Sequence, residues 1–226
     1  MLADALRDTL QRLENAANDA GRPCPGLLAV SKLQPAEAVA QLAAAGQRAF
    51  GENYVQEAQA KHAALAGVPG LEWHLIGHLQ SNKADIAARL FDWVQTVDRI
   101  KLVATLARHR PAQLPALNVL IQVNIDDEAS KHGCRPEQID TLADAITAEP
   151  RLRLRGLMAI PAPAPDPMQR RQAFQRMKQL FDALTRRYPG LDTLSMGMSD
   201  DFPLAVAEGA TLVRIGTALF GARPRR

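Results

Sequence analysis

Cysteine is scarce in this 226-residue chain: the two present, Cys24 and Cys134, lie far apart and neither belongs to a CxxC pair. Neither a disulfide framework nor a zinc knuckle organises such a chain, and the usage fits a reduced, cytoplasmic setting. Long apolar runs are missing too. None reaches the roughly 18 residues that cross a bilayer, and the first ten residues carry Asp4 and Asp8 where a secretory leader would be basic and then apolar. No membrane association is expected. Charge of one sign is also in short supply, with 27 Lys and Arg against 24 Asp and Glu, and the net +3 gathers largely at 223–226. That excess is too weak and too local for a nucleic-acid footprint.

What is present, 47% hydrophobic and 23% charged residues, suffices for one substantial core, so 1–226 is expected to be a single domain. Short β-branched or apolar runs alternate with longer stretches of helical spacing, the pattern of parallel strands joined by crossover helices. Eight strands are predicted, over 27–31, 48–51, 72–77, 93–97, 117–125, 153–160, 193–198 and 211–215. Helices are predicted to begin near Pro35, Asn53, Ser81, Asp98, Pro136, Met168 and Ser199, with one more after the last strand and an extra amphipathic helix over 2–20. That count is that of an α/β fold of one kind, a single (β/α)8 TIM-type barrel with an extra N-terminal helix. A doubly wound open sheet is the alternative, but it would advertise GxGxxG after its first strand, where this chain runs Ser31, Lys32, Leu33, Gln34, Pro35. Gly46, Gly190 and Gly209 are placed to end helices, and 161–167 reads as a stiff loop after the sixth strand.

In such a barrel the chemistry gathers at the carboxyl ends of the strands. Lys32 follows the first strand directly, and an amine there, desolvated by the strand ends or set beside a cation such as Arg214, is driven toward the neutral form that attacks aldehydes. A solvated lysine capping a strand is the commoner case, but the end of the chain shifts the weighing. Phosphate sites of these barrels use the loops after the seventh and eighth strands, where Ser199 and the pair Gly216 and Thr217 stand. Ser199 can equally cap a helix starting at Asp200. Arg214 precedes Gly216 by two residues and therefore shares its strand face. A lysine for an aldehyde, an anion cradle, and an arginine between them make the constellation that pyridoxal 5'-phosphate (PLP) requires. Arginine cannot accept a proton, so the ring nitrogen opposite it would stay unprotonated and the cofactor would be a weak electron sink.

The segments AVSK (29–32), FGENYVQEAQAK (50–61), WHLIGHLQSNK (73–83), GLMAI (156–160) and MGMSDDFPLAVAEGATLVRIGTALFGAR (196–223) closely resemble the pyridoxal phosphate homeostasis proteins of the YggS/PROSC type. The resemblance covers nearly the whole chain. It implies a single barrel related to the amino-terminal domain of alanine racemases, with PLP bound as a Schiff base on Lys32. It further implies Arg214 facing the ring nitrogen, Ser199, Gly216 and Thr217 around the phosphate, and Asn53 as a ring or hydroxyl contact. Ser195, on the face of Ser199, is an alternative phosphate hydroxyl, and Met196 or Met198 an alternative ring contact to plain core packing.

Two-sided proton transfer at a substrate α-carbon needs a base on each face, and the chain holds two tyrosines, Tyr54, expected on a helix and packing outward, and Tyr188, expected on the far side of the barrel. With no further domain after the last barrel helix, the preferred expectation is a non-catalytic, monomeric PLP carrier that supplies apoenzymes. A small racemase or lyase is the rival. His74 and His78 lack helical HxxxH geometry, so no metal site is expected from them. The loop 126–132 reads as solvated, or as a lid with Lys131 as a second basic spot, and Lys83 is left open between cofactor and solvent.

Overall fold

The computed structural model describes residues 1–128, 131–162 and 166–221. The basic residues at 223–226, part of the 161–167 loop and two residues of the 126–132 loop lie outside these. Among the described residues eight strands are present: β1 Gly26–Val30, β2 Ala49–Glu52, β3 Glu72–Leu75, β4 Trp93–Val97, β5 Leu117–Gln122, β6 Leu152–Met158, β7 Thr193–Met198 and β8 Leu212–Ile215. Each pairs with the next in parallel, and β1 closes on β8, completing a barrel. The crossovers carry α2 Ala36–Ala44, α3 Val55–Ala64, α4 Ala84–Leu90, α5 Ile100–His109, α6 Ile139–Thr147, α7 Pro167–Arg187 and α8 Phe202–Ala207. The helix α9 Thr217–Phe220 follows β8, and α1 Leu2–Asp19 precedes the barrel. Among the described residues no helix is long and apolar enough to cross a membrane.

Sequence spacing explains the elements. Leu6, Thr9, Leu13 and Ala17 recur three and four residues apart along α1 and are its buried residues, a stripe turned toward α8 and α9. Gly46 and Gly190 end α2 and α7 with φ of +106° and +100°, which a side chain would oppose. Strand faces alternate between the barrel axis and the helices, so the apolar core splits. One large cluster fills the shell between strands and helices, with Phe50, Leu75, Leu106 and Phe174 wholly buried. A small one, Trp93, Leu120 and Met158, lies around the axis.

Several boundaries differ from expectation. The fifth strand stops at Gln122 because Val123 bridges Cys134, whose N–H donates to the Gln122 carbonyl at 2.8 Å: a returning loop takes over the hydrogen bonds. The sixth stops at Met158. After β3 the chain makes a 3-10 turn, Ser81–Lys83, before α4. The helix expected from Asp200 starts at Phe202, with Asp201 at the cap position, so Ser199 does not cap it. Tyr54 precedes α3 in extended conformation instead of riding on it.

Candidate functional site

A cleft of about 290 Å³ opens at the carboxyl ends of β1, β2, β7 and β8. Lys32, Asn53, Ser199, Arg214, Gly216 and Thr217 all line it, joined by Met198 and Asp200. Six of the seven residues singled out from the sequence therefore share one wall-to-wall space. Ser195 does not line it: buried below, its hydroxyl accepts from Arg214 Nη1 and donates to Gln95 Oε1, both at 2.7 Å. Both hydroxyl roles are spent on side chains, so Ser195 holds Arg214 rather than facing the cleft. Met196 packs in the shell, as the core reading has it, while Met198 is part-exposed on the cleft wall.

The position of Lys32 is fixed by its neighbours. Val30 and Lys32 point to the axis side, and Ser31 to the shell, where a charged knot holds it. Lys61 of α3, buried, donates to the Ser31 carbonyl at 2.6 Å, to Glu52 Oε1 at 2.7 Å and to Glu57 Oε1 at 2.7 Å. Ser31 Oγ adds a 2.6 Å bond to Glu52 Oε1. On the other side of Lys32, the Leu33 N–H donates to the same Glu57 oxygen. Leu33 sits at φ +63°, a conformation costing a branched residue about 1–2 kcal/mol. The peptides before and after the lysine are thus both tied to α3. Burial raises the Glu52 carboxyl above its ordinary range, outweighing the hydrogen bonds from Lys61 and Ser31 that pull it down.

Arg214 is the other fixed group. Nη2 donates to the Ala159 carbonyl at 2.8 Å, and burial pushes its pKa down to about 10, which leaves the guanidinium charged at neutral pH. Behind it a hydrogen-bond chain descends the axis: Ser195 to Gln95, Gln95 Nε2 to His74 Nδ1 at 2.9 Å, and His74 Nε2 to Glu72 at 2.8 Å. With Nδ1 accepting and Nε2 donating, His74 is the neutral tautomer, and burial holds its pKa below the usual imidazole value. His74 also stacks on Trp93 at 5.0 Å between ring centres. It thus has no part in any pairing with His78.

Gly216 has φ of −116°, open to any residue, and a Cβ there would meet Val30 at 3.4–3.5 Å, near-ordinary contact. Neither backbone nor wall demands glycine at this point of the cleft. Gly77 is different: a Cβ would lie 2.1 Å from the Asn53 carbonyl, so this glycine lets the chain press on Asn53 and set its place on the rim. Tyr54 and Lys83 line a neighbouring groove that shares Asn53, with His78. Tyr188 lies elsewhere, its hydroxyl on Asp144. The Lys61 knot and the His74–Gln95 chain escaped the sequence reading. The Glu57 to Lys61 spacing of four was the available signal for the first, but it ordinarily marks a solvated helix face.

A closed parallel barrel with this cleft at its carboxyl rim is the architecture of the alanine racemase amino-terminal domain, and the family so described matches residues 3–224. Within it the match narrows. The pyridoxal phosphate homeostasis protein of Pseudomonas aeruginosa is 54% identical over 224 residues, covering 98% of this chain and 96% of that one. Its Escherichia coli K12 counterpart is 51% identical over 226 residues, covering 98% and 97%. PipY of Synechococcus elongatus, solved with PLP bound, matches with a TM-score of 0.85 at 37% identity, covering 98% of this chain and 100% of that one. The chain belongs to the family of pyridoxal phosphate homeostasis proteins.

Proposed function

We propose that residues 1–226 act as one non-catalytic PLP-holding unit that keeps the cofactor bound and available to apoenzymes. The observation that carries this reading is the convergence of Lys32, Arg214 and the Ser199, Gly216 and Thr217 loops on a single cleft. The donor set fits the cofactor: one amine, a charged guanidinium that only donates, and two hydroxyls beside a glycine that local geometry leaves unexplained. PLP, when bound, supplies an aldehyde that an unprotonated Lys32 amine takes up reversibly with loss of water. Arg214, which only donates, would face the ring nitrogen and leave it unprotonated. Ser199, Gly216 and Thr217 would hold the phosphate, and Asn53 would contact the ring or its hydroxyl. That PipY is solved with PLP bound supports a PLP site in this chain.

A carrier also fits what the cleft holds besides these groups. Tyr54 lines the neighbouring groove and Tyr188 is engaged with Asp144, so neither phenol stands ready as a second acid/base across from Lys32. The reading takes the chain as a monomer in the reducing cytoplasm, where Cys24 and Cys134 stay as free thiols. Replacing Lys32 by Ala should abolish the visible band of lysine-bound cofactor, and borohydride reduction followed by peptide mapping should mark Lys32. A retained band would assign the amine elsewhere. Rapid exchange of substrate α-protons in deuterated buffer, at catalytic turnover, would instead favour a racemase.

A further inference from the structure

The opposite side of the barrel rim carries a cluster that PLP holding does not use. His78 follows β3, Asp98 follows β4 directly, and His132 lies in the loop after β5. The two imidazoles stack with ring centres 3.8 Å apart and planes 14° from parallel. His78 Nδ1 stands 4.0 Å from Asp98 Oδ2, and one ligand atom of each residue lies within 4.8 Å of the other two. We propose that His78, Asp98 and His132 form a binding site for a divalent transition-metal cation of the zinc type, with water in the position the protein leaves open.

The choice of cation follows from the donors. Two imidazole nitrogens and one carboxylate oxygen suit zinc and its first-row neighbours, whereas calcium and magnesium take oxygen ligands. At zinc bond lengths of about 2.0–2.1 Å, tetrahedral ligand atoms lie about 3.3 Å apart. The ligand atoms lie within 4.8 Å of one another and the rings are stacked, so on this backbone metal binding requires the two exposed imidazoles to turn out of their stack to reach that spacing.

That backbone is already set. Arg99 Nη1 holds Asp98 Oδ1 at 2.5 Å while its Nη2 donates to the Leu79 carbonyl, which leaves Oδ2 turned toward His78. Thr96 Oγ1 donates to the Gly77 carbonyl at 2.9 Å, fixing the residue before His78. On the other side Gln122 Nε2 reaches the His132 carbonyl at 3.4 Å, and Asn124 N–H donates to Cys134 at 2.9 Å, tying the His132 loop to the end of β5. Such supporting bonds orient ligands before a metal arrives. A cation here would strap the loop after β5 to the end of β3, alongside the groove that shares Asn53 with the Lys32 cleft.

The test titrates the full chain, freed of any polyhistidine tag, with Zn²⁺ by calorimetry and with Co²⁺ by visible absorption. One equivalent should bind, Co²⁺ should show ligand-field bands of low coordination number, and Zn²⁺ should raise Tm. His78→Ala and His132→Ala should each weaken binding by at least about tenfold, and Cys24→Ser should leave it unchanged. Both imidazoles are exposed, so the double variant should keep its circular dichroism and its PLP band while losing the metal. Absence of stoichiometric binding, or equal binding by the double variant, overturns the proposal without touching the carrier reading.

Discussion

Along the barrel axis, Glu72, His74, Gln95, Ser195 and Arg214 are joined end to end by hydrogen bonds, and the apolar residues among them form one small cluster. Between the strands and the helices the proportions reverse: dozens of apolar side chains form one cluster, and the charged group Lys61, Glu52 and Glu57 sits at the upper edge beneath the Lys32 loop. A polar axis contributes less to stability than an apolar one would, but each satisfied bond fixes a direction, and the last of them points Arg214 at the cleft. The shell supplies cohesion and the axis supplies aim. Phe50→Ala is the strongest way to test that division. Phe50 is wholly buried in the shell, so its truncation should cost about 3–5 kcal/mol in urea unfolding, while PLP affinity under native conditions stays within about twofold. A parallel collapse of affinity would show that the two regions are not separable.

The same division explains what the sequence disclosed. The shell announces itself through local periodicity, which is why the fourth and seventh strands fall at 93–97 and 193–198 as expected. Lys32, Arg214, Gly216 and Thr217 were legible because each follows or ends a strand, and a barrel gathers strand ends whatever else the sequence does. The axis chain was not, since Gln95 and Ser195 are 100 residues apart and neither residue type signals its partner. Ser195 illustrates the limit: period two put it on the face of Ser199, but only the three-dimensional neighbours show that it serves Arg214. Likewise nothing local tells His78 that His132 will lie against it.

Lys61 is where the shell reaches into the site, and Lys61→Met sharpens the comparison. The methionine keeps the stem but removes the bonds to Ser31, Glu52 and Glu57. Breaking a buried pair costs about 3–5 kcal/mol when a charge is left behind. Glu52 can shed its charge by taking a proton, so about 2–3 kcal/mol is expected here. Unlike Phe50→Ala, this change should also weaken PLP binding, roughly five- to tenfold, because the peptides on both sides of Lys32 lose their tether and Leu33 is freed to relax from its positive φ. Stability loss with unchanged PLP affinity would show that the knot is structural only.

The finest test uses two buried titratable groups, one from each region, whose pH dependences run in opposite directions. Burial depresses His74, so the unfolded chain, with a histidine near pH 6.5, binds the extra proton first. Its contribution is complete above about pH 6.5 and is lost as pH falls through the folded value, by up to about 1.4 kcal/mol per pH unit. His78, depressed by partial desolvation and by His132, acts in the same sense, so the difference between wild type and His74→Gln isolates the axis group. Burial raises Glu52, so its contribution is complete below the unfolded value of about 4.3 and is lost as pH rises through the folded one. Urea unfolding across pH 4–8 should therefore show wild type losing ground to His74→Gln on acidification and gaining on Glu52→Gln. Two differences of the same sign would mean that burial does not set both groups, and that the axis and the shell are one electrostatic medium.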